Sequence, residues 1–216
     1  MDLFELKKKV AQGEGQQLEF KKKANYPEKI IKELVAFANA EGGTLILGVD
    51  DDGTLSGTRN IEGEAFVVTE AIRKWVRPQL PYELEVFNIN AKKGIAIFDI
   101  EEGHKKPYAV LDATGNGKKT TYIRLKDESL QASREMREII RRRQSNKDIQ
   151  FEYGEKERLL MQYLEEHESI SLSDFSKLAG LSKYVASRTL VRLVLANVLD
   201  IQAGGDQDCY RLKFTE

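Results

Sequence analysis

Apolar positions recur along the chain with two periods. Ile30, Ile31, Leu34, Phe37 and Ala38 share one helical face behind Pro27, which suits an opening turn, and Glu28, which complements the positive end of a helix. Gly42 and Gly43 stop that helix. Thr44 to Asp50 (TLILGVD) is a β-rich apolar run leading into a DDG turn, and TLSG reads as the returning strand of a hairpin or as part of a tight turn. Ala65, Val68, Ile72, Trp75 and Val76 mark a second amphipathic helix, ended by Pro78. YELEVFNIN and KGIAIFDIE are two strands joined near Ala91 to Lys93, and TTYIRLK (Thr120 to Lys126) is another. Ala132, Met136, Ile139 and Ile140 give a further helix. This order predicts an α/β or α+β domain.

Beyond Arg141 to Glu157, a stretch nearly free of apolar residues, the pattern changes. The stretch reads as an interdomain linker or fraying helix end, and the predicted division falls near Phe151, giving domains 1–150 and 151–216. In the second, Leu159, Leu160, Tyr163 and Leu164 define a helix, SLSDFSKLAG a second one ended by Gly180, and LSKYVASRTLVRLVLAN a third capped by Ser182. VLDIQ, the tip AGGDQD and CYRLKF then form a hairpin in which Tyr210, Leu212 and Phe214 alternate with Arg211 and Lys213. Three helices followed by a hairpin predict a small winged helix-turn-helix domain. Its third helix is expected to bury Val185, Leu190, Leu193 and Val194 and to present Lys183, Tyr184, Ser187, Arg188 and Arg192 to nucleic acid, with Arg211 and Lys213 on the phosphate backbone.

Composition narrows the class. With 216 residues, 41% hydrophobic, 32% charged and only four prolines, the chain has enough apolar surface to fold and is not disordered. It has no apolar run of ~18 residues for a membrane span and no secretory leader pattern, so a cytoplasmic location without membrane partners is expected. Cys209, His104 and His167 are too few for a tetrahedral Cys/His zinc site, and neither histidine has a partner at catalytic spacing. Lys+Arg and Asp+Glu number 34 and 35, so nucleic-acid binding needs a local patch. Residues 151–216 carry 8 basic and 11 acidic groups and residues 1–150 carry 26 and 24. The acidic excess in the second domain favours the alternative of a winged helix used for protein contacts.

Three motifs invite chemistry. Glu14 and Glu19, with Asp50, Asp51 and Asp52 at the strand end, are candidates for a carboxylate cluster holding Mg²⁺ or Mn²⁺ for phosphodiester cleavage, against the plainer account of surface acids and a DDDG turn. GNGKK (Gly115 to Lys119) fails as a phosphate loop, because Lys119 stands where Ser or Thr belongs and Asp112 where the first glycine belongs. Basic runs at Lys7 to Lys9, Lys21 to Lys23 and Arg141 to Arg143 are solvated faces by default, although Lys21, and Arg124 on the TTYIRLK strand, are candidates for contacting nucleic acid.

Together GEGQQLEFKKKA, EKIIKELVAFANAEGGTLILGVDDDGTLSG, KKPYAV and TTYIRLKDESLQAS resemble the Schlafen/AlbA-type family, whose members are described as DNA-binding, from about Gly13 to Arg143. In prokaryotic members the domain is often joined to a winged helix, and such proteins are commonly described as transcriptional regulators. The resemblance thus implies a regulator acting on double-stranded DNA as a homodimer, without cofactor. Vertebrate Schlafens include endoribonucleases using three acidic residues, which the resemblance places at Glu14, Glu19 and Asp50. A metal-dependent nuclease acting on RNA is therefore the alternative, and a protein-interaction module the third reading. The zinc site and the second domain copy of those Schlafens are missing here, and a homodimer would restore the second half.

Overall fold

The computed structural model describes residues 3–112, 117–144, 152–204 and 207–213. Gly115 and Asn116 of the GNGKK loop, Gly205 and Asp206 of the hairpin tip, Phe214 and much of the expected linker lie outside these residues. The chain divides into two compact units, Met1–Gln131 and Ala132–Glu216. The division falls ahead of the last helix assigned to the first domain from the sequence, so the expected boundary at residue 151 is displaced. The reason is packing: Ile139 of that helix lies in the core of the second unit.

The first unit is α+β. Its elements are α1 (Leu3–Val10), β1 (Leu18–Lys21), α2 (Pro27–Asn39), β2 (Gly43–Leu47), α3 (Ile61–Trp75), β3 (Val76–Arg77), β4 (Glu83–Asn90), β5 (Lys93–Ile100), β6 (Ala109–Leu111), β7 (Lys119–Thr120), β8 (Tyr122–Leu125) and β9 (Glu128–Gln131). The main sheet has the order β1-β2-β5-β4. β1 runs parallel to β2, with Glu19 opposite Leu45, and the other pairs are antiparallel. β3, β6 and β7 form a small sheet, and β8 pairs with β9.

The continuous apolar run of β2 reflects two covered faces. Leu45 and Leu47, with Ala96 and Phe98 of β5, pack against Ile31, Leu34, Phe37, Val68 and Ile72 of α2 and α3. Ile46, Val49, Ile95 and Ile97 point the other way, toward Leu6 and Val10 of α1. The sequence reading treated the start of the chain only as a basic run. Leu6 and Val10, four residues apart, are the helical signal it missed. The TLSG segment is part of a tight turn and not a strand: the Gly53 N–H donates to Asp50 O at 2.8 Å with φ of +80°, and the Asp50 N–H donates to Thr54 O at 3.0 Å. TTYIRLK divides into β7 and β8. Buried Asn39 ties α2 to this region, donating to Tyr108 O at 2.9 Å and Tyr122 O at 2.8 Å and accepting from the Tyr108 N–H at 2.8 Å.

The second unit contains α4 (Arg134–Arg143), α5 (Glu155–Glu166), β10 (Ile170–Ser171), α6 (Leu172–Leu178), α7 (Lys183–Leu195), β11 (Leu199–Gln202) and β12 (Cys209–Leu212). The strands make an antiparallel sheet ordered β10-β12-β11. Leu160, Phe175, Leu190, Val194, Leu199 and Tyr210 are central to its core. Serines cap three of its helices: Ser133, Ser171 and Ser182 accept from the N–H groups of Met136, Asp174 and Val185 at 3.0, 3.1 and 3.3 Å. Val185, expected in the core, is exposed, and Ala186 and Thr189 are buried instead. The core stripe of α7 is Ala186, Leu190, Leu193 and Val194, and Val185 lies in the first turn of the helix, off the centre of that stripe.

No helix among the described residues is long and apolar enough to cross a membrane.

Candidate nucleic-acid interface

Helix α7 places four of its five expected contact residues at the surface. Lys183, Tyr184, Arg188 and Arg192 are exposed, while Ser187 is half-buried and its hydroxyl already donates to Glu135 Oε1 at 2.6 Å. The Arg188 guanidinium lies 5.6 Å from the Tyr184 ring centroid and donates to Tyr184 Oη at 3.4 Å. On the hairpin, Arg211 is exposed and opposite Asp200 in register, and Lys213 is exposed and donates to Asn197 Oδ1 at 3.1 Å. An opposite charge across the strands offsets part of the field of Arg211.

Sequence reasoning missed the role of α4. This helix lies against α7, with Ile139 in the shared core and Val191 buried. The two helices line a groove of about 440 Å³, to which α4 contributes Arg134, Arg141 and Arg142 and α7 contributes Tyr184, Arg188 and Arg192. Glu138, also in the groove, pairs with Arg141 and with Arg142 Nε, the latter at 2.6 Å. Including α4 changes the charge argument, because residues 132–216 carry 14 Lys+Arg and 14 Asp+Glu. The acidic excess inferred for residues 151–216 came from where the chain was cut. The available signal was Ile139, an apolar residue on a helix otherwise dense in arginine, which needs a core to enter.

In the first unit the two expected basic contacts are engaged internally. Arg124 is enclosed, with 0% of its side chain exposed, because β8 lies against α2 where the side chains of Glu19 and Glu33 converge. Its guanidinium donates to Glu19 Oε2 at 2.7 Å, Glu33 Oε2 at 2.6 Å, Gly15 O at 2.8 Å and Ser129 Oγ at 3.2 Å, and lies 4.9 Å from the Phe37 ring centroid. No donor of this kind is left for a phosphate, so Arg124 is a structural residue and not a nucleic-acid contact. Lys21 is half-buried, paired with Glu19 and donating to Phe20 O at 2.9 Å. Burial raises the pKa of Glu33, nearby Glu19 adds to the rise, and the Ser129 hydroxyl and Arg124 oppose it.

The acidic trio is likewise dispersed among separate partners. Glu14 accepts from the Phe20 N–H at 2.8 Å, Glu19 is held by Arg124 and Lys21, and Asp50 pairs with Lys22 at 2.5 Å. The hydrogen bond from Lys22 holds the Asp50 carboxyl below its ordinary pKa. Among the described residues no group of three or more His, Cys, Asp or Glu side chains is arranged to hold a metal ion. Glu14 and Glu19, five residues apart, thus have different partners: Glu19 faces Arg124, while Glu14 accepts from the backbone of the strand itself.

Comparison with known proteins agrees with the division of the chain. The model of the family described as Schlafen, AlbA_2 matches residues 14–133, ending where α4 begins. No curated protein matches the chain significantly. Among solved structures, the chain is similar to the N-terminal domain of a Nitrosomonas europaea protein described as ATP-dependent DNA helicase RecG-related, at 20% identity and a TM-score of 0.39, covering 53% of this chain and 78% of that one. It is also similar to the DIP2311 protein of Corynebacterium diphtheriae at 19% identity and a TM-score of 0.43, covering 62% of this chain but 28% of that one.

Proposed function

Because the chain belongs to the Schlafen, AlbA_2 family, we propose that it is a cytoplasmic nucleic-acid-binding protein that regulates transcription, making contact through a winged helix formed by its second unit. The observation that carries this reading is the arginine-lined face of α4 and α7 around exposed Tyr184, in a unit that carries as many basic as acidic residues. Such a face attracts phosphates by a local field although the chain as a whole is nearly neutral. The order of helices and the three-stranded sheet with its terminal hairpin fit the same reading, in which α7 is the recognition helix and β11-β12 the wing. The sequence reading takes double-stranded DNA as the target, read by a homodimer over two half-sites.

Fluorescence anisotropy with labelled DNA and RNA tests the proposal. Binding is expected to persist in EDTA, to weaken with salt, and to weaken further in Arg188→Ala/Arg192→Ala. Each lost phosphate contact lowers the salt slope by about one unit on duplex DNA. Absence of binding at low salt to duplex, single-stranded and structured probes would overturn the reading in favour of a protein-interaction module. Sedimentation velocity tests the homodimer.

A further inference from the structure

We infer that the α4–α7 groove takes the backbone of an unpaired nucleic-acid strand, with a base stacked on Tyr184. This rests on the nucleic-acid reading above and specifies its target. A recognition helix reads a major groove about 12 Å wide through its exposed face. Here α4 runs against the Ser187–Val191 flank of α7, joined by the Ser187–Glu135 hydrogen bond at 2.6 Å and by Ile139 in the core. Ser187, in the middle of the expected reading face, has its hydroxyl already committed.

A single strand asks for different geometry: a positive trough for the phosphates and an aromatic platform for a base. The groove has both. Five arginines, Arg134, Arg141, Arg142, Arg188 and Arg192, line it against two carboxylates, Glu135 and Glu138. Tyr184 is 58% exposed beside them, with the Arg188 guanidinium 5.6 Å from its ring. A volume of about 440 Å³ lies in the small-ligand range of ~300–1,000 Å³, a size that suits a splayed nucleotide. Arginine beside the ring reinforces stacking through cation–π attraction.

The test uses the full chain, a mixed-sequence single-stranded DNA of about 20 nucleotides, the matching RNA and the DNA duplex, each at several salt concentrations. Both single strands are expected to bind more tightly than the duplex. Tyr184→Ala should weaken single-strand binding about tenfold, with Tyr184→Phe retaining it. Arg141→Gln/Arg142→Gln should lower the single-strand salt slope by about 1.4 units. Circular dichroism melts establish that each variant is folded, and Tyr184→Phe supplies a comparison with nearly unchanged packing. Tighter duplex binding that is indifferent to Tyr184→Ala would overturn this inference and leave nucleic-acid binding standing. Single-strand binding insensitive to both the tyrosine and the arginine variants would place the strand elsewhere and overturn it equally. Failure of all probes to bind would overturn the underlying reading as well.

Discussion

A guanidinium with no exposed side-chain surface must find its counter-charges inside the fold, and Arg124 does so between Glu19 and Glu33. Removing one partner of such a group leaves a buried charge uncompensated, so these residues report on the junction of β1, α2 and β8 more sharply than surface ion pairs would. Glu33 gives the junction a pH signature. Burial raises its pKa above the ordinary 4.5, so it binds its proton more tightly in the folded chain than in the unfolded one. Its contribution to stability is therefore fully present below 4.5 and is lost as the pH rises through the raised folded value. Glu33→Gln removes that dependence. In urea titrations the stability of the native chain relative to Glu33→Gln should be greatest below pH 4.5 and decline as the pH rises above it; a difference that does not vary with pH would contradict the half-buried placement of Glu33. The sequence identified Arg124 and Glu19 as charged residues worth attention but not as partners, because they lie 105 residues apart and neither strand pattern encodes which side chains meet across α2.

Elements with a strong internal period were legible. The apolar face of α2, the turn between β4 and β5, and the Ser182 cap of α7 follow from periodicity, the turn chemistry of Asn90 and capping, all of which act within one or two turns of chain. What escaped the sequence depends on contacts made at a distance. Two-residue strands such as β3 and β7 exist only through their pairing with β6, and α4 belongs to the second unit through Ile139 in its core and the hydrogen bond between Glu135 and Ser187. Val185 is exposed in the first turn of α7, while Leu190, Leu193 and Val194 are buried as the period predicts. Strand β2, a continuous apolar run in the sequence, is covered on both faces and supports a direct test. Leu47 is fully buried against α2 and α3, so Leu47→Ala should cost ~2–5 kcal/mol through lost transfer energy and cavity formation. Asp51, exposed in the following turn, should tolerate Asn within ~0.5 kcal/mol. Equal midpoints for the two variants in urea would refute the central position of the strand.

At the scale of the whole molecule, the two units have separate apolar cores: the clusters around Phe37 and Ile46 draw only on the first unit, and the cluster around Leu190 only on the second. A cavity made in one core should therefore be felt mainly there. Ile139→Ala opens a cavity in the second core, with an expected cost of ~2–5 kcal/mol. The chain contains a single tryptophan, Trp75, packed against the core of the first unit. Its fluorescence reports unfolding of that unit, whereas far-ultraviolet circular dichroism reports helix loss in both. In Ile139→Ala the dichroism transition should begin at lower urea while the Trp75 transition keeps its midpoint. In Leu47→Ala the Trp75 transition should move. In the double variant the two costs should add within ~0.3–0.5 kcal/mol, as expected of sites without shared partners. A shift of the Trp75 midpoint in Ile139→Ala would mean that α4 stabilises the first unit. The boundary after Gln131 would then fail, and with it the placement of the α4 arginines on the α7 face.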